Sequence, residues 1–225
     1  MFDIKILFEN EDFLIIDKPS GIVVHPFPFS SENTLVDFLF KYNAKIFEIK
    51  NEKILQDERK INLGGVVHKL DRETSGVMIV AKNEKIFNEL KKLFAERKIQ
   101  KTYIAKVSGE INEKEFVIDA PLGREKKDYR QVANPKNLRG ELRDAVTNVK
   151  VLNVDNGNTL VELRPVTGRT HQLRAHMKYI NYPILGDKVY GDKNDGCDRL
   201  MLHAKKIEFE IEDEKYSFET ETVFD

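Results

Sequence analysis

Residues 66–83 form the stretch of this sequence that most restricts how the chain can fold. They read VVHKLDRETSGVMIVAKN: an apolar segment, a short polar turn and a second apolar segment. Burying so many polar side chains without partners is costly, so they favour a functional site on a rigid scaffold. The alternative is a solvated turn in which Asp71 or Thr74 bonds to the local backbone. The polar residues of the turn are His68, Lys69, Asp71, Arg72, Glu73, Thr74 and Ser75.

The composition is that of an ordinary globular protein. The 225 residues are 40% hydrophobic and 33% charged, and no apolar run approaches the roughly 18 residues that cross a bilayer. The N-terminal residues MFDIKILFEN lack a signal-peptide pattern. A single cysteine, Cys197, can form neither an internal disulfide nor a thiolate metal site, which predicts a cytoplasmic protein. The length fits one large domain or two joined halves, and without a visible linker we predict one catalytic domain over residues 1–225.

The charges are balanced overall but unevenly distributed. The formal net charge is −1, yet no acidic residue lies between Glu162 and Asp187, and residues 124–143 are also biased towards basic side chains. Such a run is often a solvated face, but it also permits a local phosphate-binding surface on a neutral protein. The acid-free stretch contains the basic residues Arg164, Arg169, Arg174 and Lys178 with His171 and His176.

Hydrophobic periodicity and turn residues predict an α+β fold: one catalytic domain on a largely antiparallel or mixed sheet, with a few flanking helices. Helices are expected over residues 33–47, 84–97 and 170–179, the first two capped by Asn33 and Asn83. We expect an exposed excursion at residues 50–62, and over residues 120–143 an irregular basic hairpin or loop with one strand at 128–132. The other expected strands are residues 4–8, 13–17, 100–108, 145–154, 159–165, 202–211 and 216–220.

Five stretches in the same order resemble a known family. They are GIVVHP at 21–26, HKLDRETSG at 68–76, KTYIAKVSG at 101–109, RPVTGRTHQLRAHM at 164–177, and PILGDKVYG with RLMLHA at 183–204. The second resembles the HRLDxxTSG signature of the RluA-type pseudouridine synthases, which isomerise selected uridines in RNA. The resemblance implies the pseudouridine synthase fold, in a form without the separate S4-like RNA-binding domain that some relatives carry.

The resemblance also implies roles for individual residues. Asp71 falls on the catalytic aspartate of the family, and Tyr103 on a tyrosine that stacks on the target base and assists proton movement at C5. Arg174 falls on the arginine that pairs with the catalytic carboxylate, and a guanidinium would indeed keep a buried carboxylate ionised. Taken alone, Arg174 could equally be a phosphate contact. The expected RNA contacts are His68, Lys69, Arg72, Thr74, Arg169, His171 and Gln172.

One residue departs from the family pattern. The family usually has arginine before the position of Leu70, and this chain has Lys69. Lysine keeps the charge but loses planar stacking and bidentate contacts, so the way the target nucleotide is displaced would differ.

We therefore predict a monomeric enzyme that acts on structured ribosomal or transfer RNA, without a membrane partner. The isomerisation requires no cofactor or metal. One alternative is a catalytically silent RNA-binding module of the same fold. A second is a metal-dependent hydrolase, but no histidine pair has HExxH spacing and the chain has no cysteine pair. The histidines that suggest such a site, with Asp71, are His68, His171, His176 and His203.

Overall fold

The computed structural model describes residues 4–26, 33–125, 130–135, 138–192, 195–222 and 224. Their contacts divide the chain into two compact units, Met1–Ile99 with Lys206–Glu221, and Gln100–Lys205 with Thr222–Asp225. The described residues contain fourteen strands and three α-helices, which confirms the predicted α+β class. No helix among them is both long and apolar enough to cross a bilayer.

The first unit contains part of the main sheet. In spatial order its strands are β1 (Lys5–Glu9), β2 (Phe13–Lys18), β5 (Ser75–Ala81) and residues 206–211 of β13 (Leu202–Ile211), with β14 (Glu214–Glu219) paired to β13. All seven residues of β5 are buried, as expected for a strand covered on both faces. The two apolar runs around the polar turn therefore lie in the interior of this unit.

Two helices accompany this sheet, and the first begins later than predicted. Helix α1 spans Leu35–Tyr42 and is capped by Thr34, whose side chain accepts a bond from the Asp37 N–H while the Asp37 carboxylate accepts from the Thr34 N–H. This capping box, rather than Asn33, sets the start. Asn43 adopts an extended conformation, so the predicted helix over 33–47 divides into α1 and a 3₁₀ turn at Ala44–Glu48.

Helix α2 was predicted correctly. It spans Glu84–Ala95, and the Asn83 side chain accepts a bond from the Ile86 N–H at 2.9 Å. Ile86 and Leu90 are buried against the sheet core of the first unit. The excursion expected at residues 50–62 is a short exposed hairpin of strands β3 (Glu52–Ile54) and β4 (Lys60–Asn62).

The second unit contains the rest of the main sheet. Residues 202–205 of β13 belong to this unit, and the order continues from that strand through β6 (Gln100–Ser108), β12 (Asn158–Pro165), β11 (Val146–Asp155) and β7 (Glu115–Asp119). The turn between β11 and β12 places Asn156 at φ 50° and Gly157 at φ 74°, as the Asn-Gly dipeptide predicts for a tight hairpin. Strand β7 was not predicted.

A separate three-stranded sheet corrects the prediction for residues 120–143. Its order is β10 (Leu138–Arg143), β8 (Leu122–Glu125) and β9 (Gln131–Ala133), with antiparallel pairing. The strand predicted at 128–132 falls partly outside the described residues. Cross-strand pairing, which local propensity does not encode, orders this charged segment.

Helix α3 spans Gln172–Tyr179, two residues later than predicted. The delay arises at His171, which has a left-handed backbone at φ 53° and so cannot belong to the helix. Leu173 and Met177 pack into the core of the second unit.

Gly65 allows a close approach that any larger residue would prevent. A Cβ there would lie 1.8 Å from the Ala81 carbonyl oxygen, at the end of β5. We expect Gly65→Ala to lower the free energy of unfolding by about 1–3 kcal/mol or more, measured by urea titration. Gly168→Ala is the control, because its Cβ would meet nothing nearer than the Lys101 Nζ at 3.7 Å. Equal stability of the two variants would contradict the close approach.

Candidate active site

The polar turn of residues 66–83 is a loop held by bonds to its backbone. The Thr74 N–H donates to the Asp71 carbonyl at 3.2 Å, which closes a tight turn that begins at Asp71. The Ser20 hydroxyl donates to the Glu73 carbonyl at 2.6 Å. Atoms that come from residues before α1 thus hold the loop that carries Asp71.

A buried lysine makes the strongest of these connections. Lys18 is completely buried, and its ammonium donates to the carbonyls of Pro19 at 2.9 Å, Ile22 at 2.9 Å and Arg72 at 3.0 Å. The Arg72 carbonyl also accepts the Gly21 N–H at 2.9 Å. All three protons of the ammonium are therefore bonded, and one bond holds the peptide that follows Asp71.

Burial dominates the electrostatics of this lysine. It lowers the pKa of the Lys18 ammonium to about 8, although the neighbouring carboxylates of Glu73, Asp71 and Asp17 oppose the shift. At neutral pH the ammonium is therefore still mostly charged. It brings a positive charge into the interior of the first unit, close to Asp71.

In the second unit, α3 presents a buried arginine to a buried aspartate. The Arg174 Nε donates to one carboxylate oxygen of Asp187 at 2.7 Å and a terminal nitrogen to the other at 2.8 Å. The two side chains are 3% and 0% exposed. Burial alone would raise the pKa of Asp187, but the Arg174 bonds and charge, with the N–H groups of Tyr190 and Val189, lower it. The pair is thus fully ionised at neutral pH.

Tyr190 connects this ion pair to the start of α3. Its ring lies 5.3 Å from the guanidinium carbon of Arg174, within cation–π range. Its hydroxyl accepts the Gln131 N–H at 3.0 Å and lies 3.1 Å from His171 Nδ1. His171 is the residue with the left-handed backbone, and such strain persists where surrounding contacts enforce it.

Tyr103 lies on β6, opposite Leu163 of β12. It is half-buried and packs against the core of the second unit, which also includes Val107. This placement confirms the alternation predicted from the sequence, with Tyr103 and Val107 on one face.

Comparison with known proteins identifies the family of the chain. A model of the RNA pseudouridylate synthase family matches residues 12–179. The chain belongs to the RNA pseudouridylate synthase family. The match includes the Asp71 loop, Tyr103 and Arg174.

Several proteins resemble the chain over almost its whole length. Ribosomal large subunit pseudouridine synthase D of Borreliella burgdorferi is 39% identical over 92% of the chain and 61% of that protein. The uncharacterized RNA pseudouridine synthase YlyB of Bacillus subtilis is 36% identical over 92% of the chain and 65% of that protein. The structure of human RNA pseudouridylate synthase domain containing 1 superposes with a TM-score of 0.77 at 25% identity, over 97% and 83% of the two chains. The chain spans about 61–65% of the length of these two curated bacterial relatives.

The residues that the sequence singled out lie in both units of this member of the family. The first unit contains the loop residues His68, Lys69, Asp71, Arg72 and Thr74. The structure gives Lys69 an exposed side chain. The second unit contains Tyr103 on β6 and four residues around the start of α3: Arg169, His171, Gln172 and Arg174.

Two of the expected RNA contacts in the loop are occupied within the protein in different ways. His68 Nε2 accepts the Ile79 N–H at 3.0 Å, and its ring stacks on Phe94 at 4.8 Å between centroids, so this side chain holds the loop against β5 and α2. Thr74 is buried, at 2% exposed. The contact of both side chains with RNA stays a prediction.

Gln172 is likewise buried, in a chain of side-chain bonds. Its amide oxygen accepts from Thr167 at 2.6 Å and from the Arg169 N–H at 3.1 Å, and its amide nitrogen donates to Thr147 at 3.1 Å. Thr147 is bonded to His176, whose other ring nitrogen lies 2.9 Å from the Ala120 carbonyl. Gln172 thus positions the loop before α3, and its contact with RNA stays a prediction.

Three residues with clear structural roles were missed in the sequence. The sequence does not single out Lys18, and it gives Asp187 and Tyr190 no role of their own. The sequence does contain a signal that could have identified Asp187, because this residue ends the acid-free stretch that contains Arg174. The signal for Lys18 is weak, because a lysine beside a turn is usually solvated.

Among the residues that the structure describes, no group of three histidine, cysteine or acidic side chains has the arrangement of a metal site. Both ring nitrogens of His176 are bonded to protein groups, and burial lowers its pKa.

The buried Lys18 should make stability depend on alkaline pH. The folded protein binds the Lys18 proton more weakly than the unfolded chain does, so stability rises between pH 8 and the ordinary lysine pKa of 10.5. The rise is at most about 1.4 kcal/mol per pH unit. Lys18→Met removes the titrating group and with it this rise in stability. The wild type should therefore gain stability relative to the variant from pH 7 to pH 10 in urea titrations. Lys92→Met, an exposed lysine on α2, is the control, and a constant difference would contradict the burial of a charged lysine.

The Arg174–Asp187 pair predicts strong coupling in unfolding experiments. Asp187→Leu alone leaves a buried guanidinium without its bidentate partner and should destabilise the protein by about 3–5 kcal/mol. Combining Arg174→Met with Asp187→Leu removes both charges and should recover most of this loss. Arg164→Met breaks an exposed ion pair with Glu162 and should cost about 1 kcal/mol or less. Additive single and double variants would disprove the coupling.

Proposed function

We propose that this chain isomerises uridine to pseudouridine at selected positions of structured ribosomal or transfer RNA. The observation that carries the proposal is the loop around Asp71, held by Lys18 and Ser20, in a chain whose residues 12–179 match the family model. A relative named as a ribosomal large subunit pseudouridine synthase supports ribosomal RNA as the substrate class.

The reaction places few demands on the protein. The N1–C1′ bond of uridine breaks, the base turns while it is held, and C5 bonds to C1′ as its proton leaves and N1 gains one. Atoms and electrons balance within the substrate, so the protein must supply a carboxylate, a surface for the detached base and a charge environment that keeps the carboxylate ionised.

Asp71 is the carboxylate in this proposal. Its turn is closed by the bond from the Thr74 N–H, and the next carbonyl is bonded to Lys18 and Gly21. These bonds limit the backbone freedom of the loop, so the carboxylate is presented without a large ordering cost at the time of reaction. The bond that the carboxylate forms or breaks is left open between attack at C1′, attack on the base and removal of a sugar proton.

Tyr103 and Arg174 complete the proposed machinery. A half-buried tyrosine on a rigid strand offers an aromatic face for the detached base and a hydroxyl near C5. Arg174 supplies the positive charge for the catalytic carboxylate, and Asp187 with Tyr190 holds its guanidinium in one orientation. Arg174 is thus a charge partner and Asp187 a positioning residue.

The RNA contacts are proposed on exposed or half-buried basic residues. Lys69 and Arg72 in the Asp71 loop would assist in displacing the target nucleotide. Arg169 and His171 precede α3, where a phosphate is favoured. Three further expectations stay predictions: one catalytic domain over residues 1–225, a monomeric state and a cytoplasmic location.

Asp71→Asn is the sharpest test of this function. The change keeps the size of the side chain but removes the charge, so pseudouridine formation should disappear, measured as tritium release from C5-labelled uridine. RNA binding should stay within about tenfold of the wild type, equivalent to roughly 1.4 kcal/mol, in a filter assay on the same transcripts.

Glu73→Gln is the matched control, because it removes an exposed carboxylate two residues away in the same loop. It should leave tritium release close to the wild-type rate. Near-normal activity of Asp71→Asn would remove the carboxylate from the mechanism. Binding by the wild type without tritium release from any ribosomal or transfer RNA would favour the silent RNA-binding module instead.

A further inference from the structure

A basic groove lies beside the small sheet of the second unit. It has a volume of about 590 Å³ and is walled by β8, β9, β10 and the loop before α3. Among the residues that the structure describes, four arginines and one acidic residue, Glu141, line it. The arginines are Arg124, Arg139, Arg143 and Arg169.

Two of these arginines face each other at a cost to the fold. Arg124 of β8 and Arg139 of β10 are directly opposite in the antiparallel ladder, and both are exposed. Like charges in this position are destabilising, so the pair works against the stability of a small sheet. A bound anion would remove the repulsion.

The other two arginines are fixed in different ways. Arg169 Nε donates to the Asp144 carbonyl at 3.1 Å, and its own N–H is bonded to the buried Gln172. Arg143 has Glu141 as a neighbour at 3.7 Å, in an exposed pair that contributes little. The groove therefore keeps a clear positive excess, and part of it is preorganised.

The groove adjoins the Arg174 network within the same unit. Gln131 lines it, and the backbone N–H of Gln131 is bonded to Tyr190, whose ring packs on Arg174. Lys101 lies behind the groove wall at Gly168, because its Nζ would be 3.7 Å from a Cβ built on that glycine. Burial lowers the pKa of Lys101. An anion in the groove would offset this effect by stabilising the charged ammonium.

The lining residues point to one part of a nucleic acid. Guanidinium groups bind phosphate in a bidentate manner, whereas bases need aromatic platforms or paired hydrogen bonds. None of the residues that line the groove in the described part of the chain is aromatic. We infer that this four-arginine groove binds the phosphate backbone of the RNA substrate, gives affinity without selecting the base, and does so next to the Arg174 site.

This inference rests on the proposed function for the identity of the polyanion. Neutralising the facing pair with Arg124→Gln/Arg139→Gln should weaken RNA binding and flatten its salt dependence. Each phosphate that the protein no longer neutralises makes the log–log slope shallower by about 0.7–0.9, equivalent to a fall in affinity about threefold smaller between 50 and 200 mM salt. The single-turnover rate at saturating RNA should stay within about twofold of the wild type.

Two variants control for charge and for shape. Lys85→Gln/Lys215→Gln removes the same charge beside the acidic β13–β14 hairpin, where carboxylates such as Glu212 repel phosphate, and should leave the slope unchanged. Lys85 lies on α2 and pairs with Glu212, and Lys215 lies on β14. Arg124→Lys/Arg139→Lys keeps the charge and should keep the slope while binding RNA less tightly. The glutamine variant should also unfold at the wild-type temperature or above it, because a repulsion is removed.

Each outcome bears on the inference in a defined way. If the glutamine variant keeps the wild-type salt slope and RNA affinity, the inference that the groove binds RNA is overturned. The proposed function still stands in that case if the wild type releases tritium. A loss of binding confined to one RNA sequence overturns the backbone assignment, which requires an equal effect for transcripts of unrelated sequence. Groove-dependent binding without tritium release from any transcript supports the groove and overturns the proposed function.

Discussion

The loop that carries Asp71 depends on one buried ammonium group. Lys18 donates all three of its protons to carbonyls, and one of those carbonyls, from Arg72, is 54 residues away along the chain. A buried charge of this kind is costly unless every donor is bonded. The same bonds restrict the peptide after Asp71, so the requirement to satisfy a lysine in the interior also gives the proposed catalytic carboxylate a defined position.

In the second unit, a buried cation is held by a carboxylate and not by backbone carbonyls. Arg174 is buried with Asp187 in a bidentate ion pair, and Tyr190 covers the guanidinium while bonding to the start of α3. Such a pair contributes little net stability compared with apolar residues of the same volume, but it holds a guanidinium in one orientation. We interpret Asp187 as a residue that is retained for the geometry of Arg174.

The arginine groove also contains an arrangement that lowers stability, which we interpret as serving RNA binding. Arg124 opposite Arg139 weakens a ladder of only a few residue pairs, and a sheet selected for stability alone would carry opposite charges there. The net charge of −1 conceals this surface, because acidic residues are concentrated elsewhere, including the β13–β14 hairpin. Charge distribution, and not total charge, is therefore the informative quantity for a partner such as RNA.

Local patterns in the sequence were sufficient for most of the secondary structure and for the identity of the central loop. Helix α2 with its Asn83 cap and the Asn-Gly hairpin of β11 and β12 follow from interactions between residues a few positions apart. The features that were not predicted depend on contacts between residues far apart in the sequence. The three strands of the small sheet, the buried Lys18 and the partner of Arg174 depend on atoms brought together from distant parts of the chain, and neither periodicity nor propensity contains that information. Tertiary structure alone decided them, because a buried charge or an exposed strand is stable only with the particular partners that the fold places beside it.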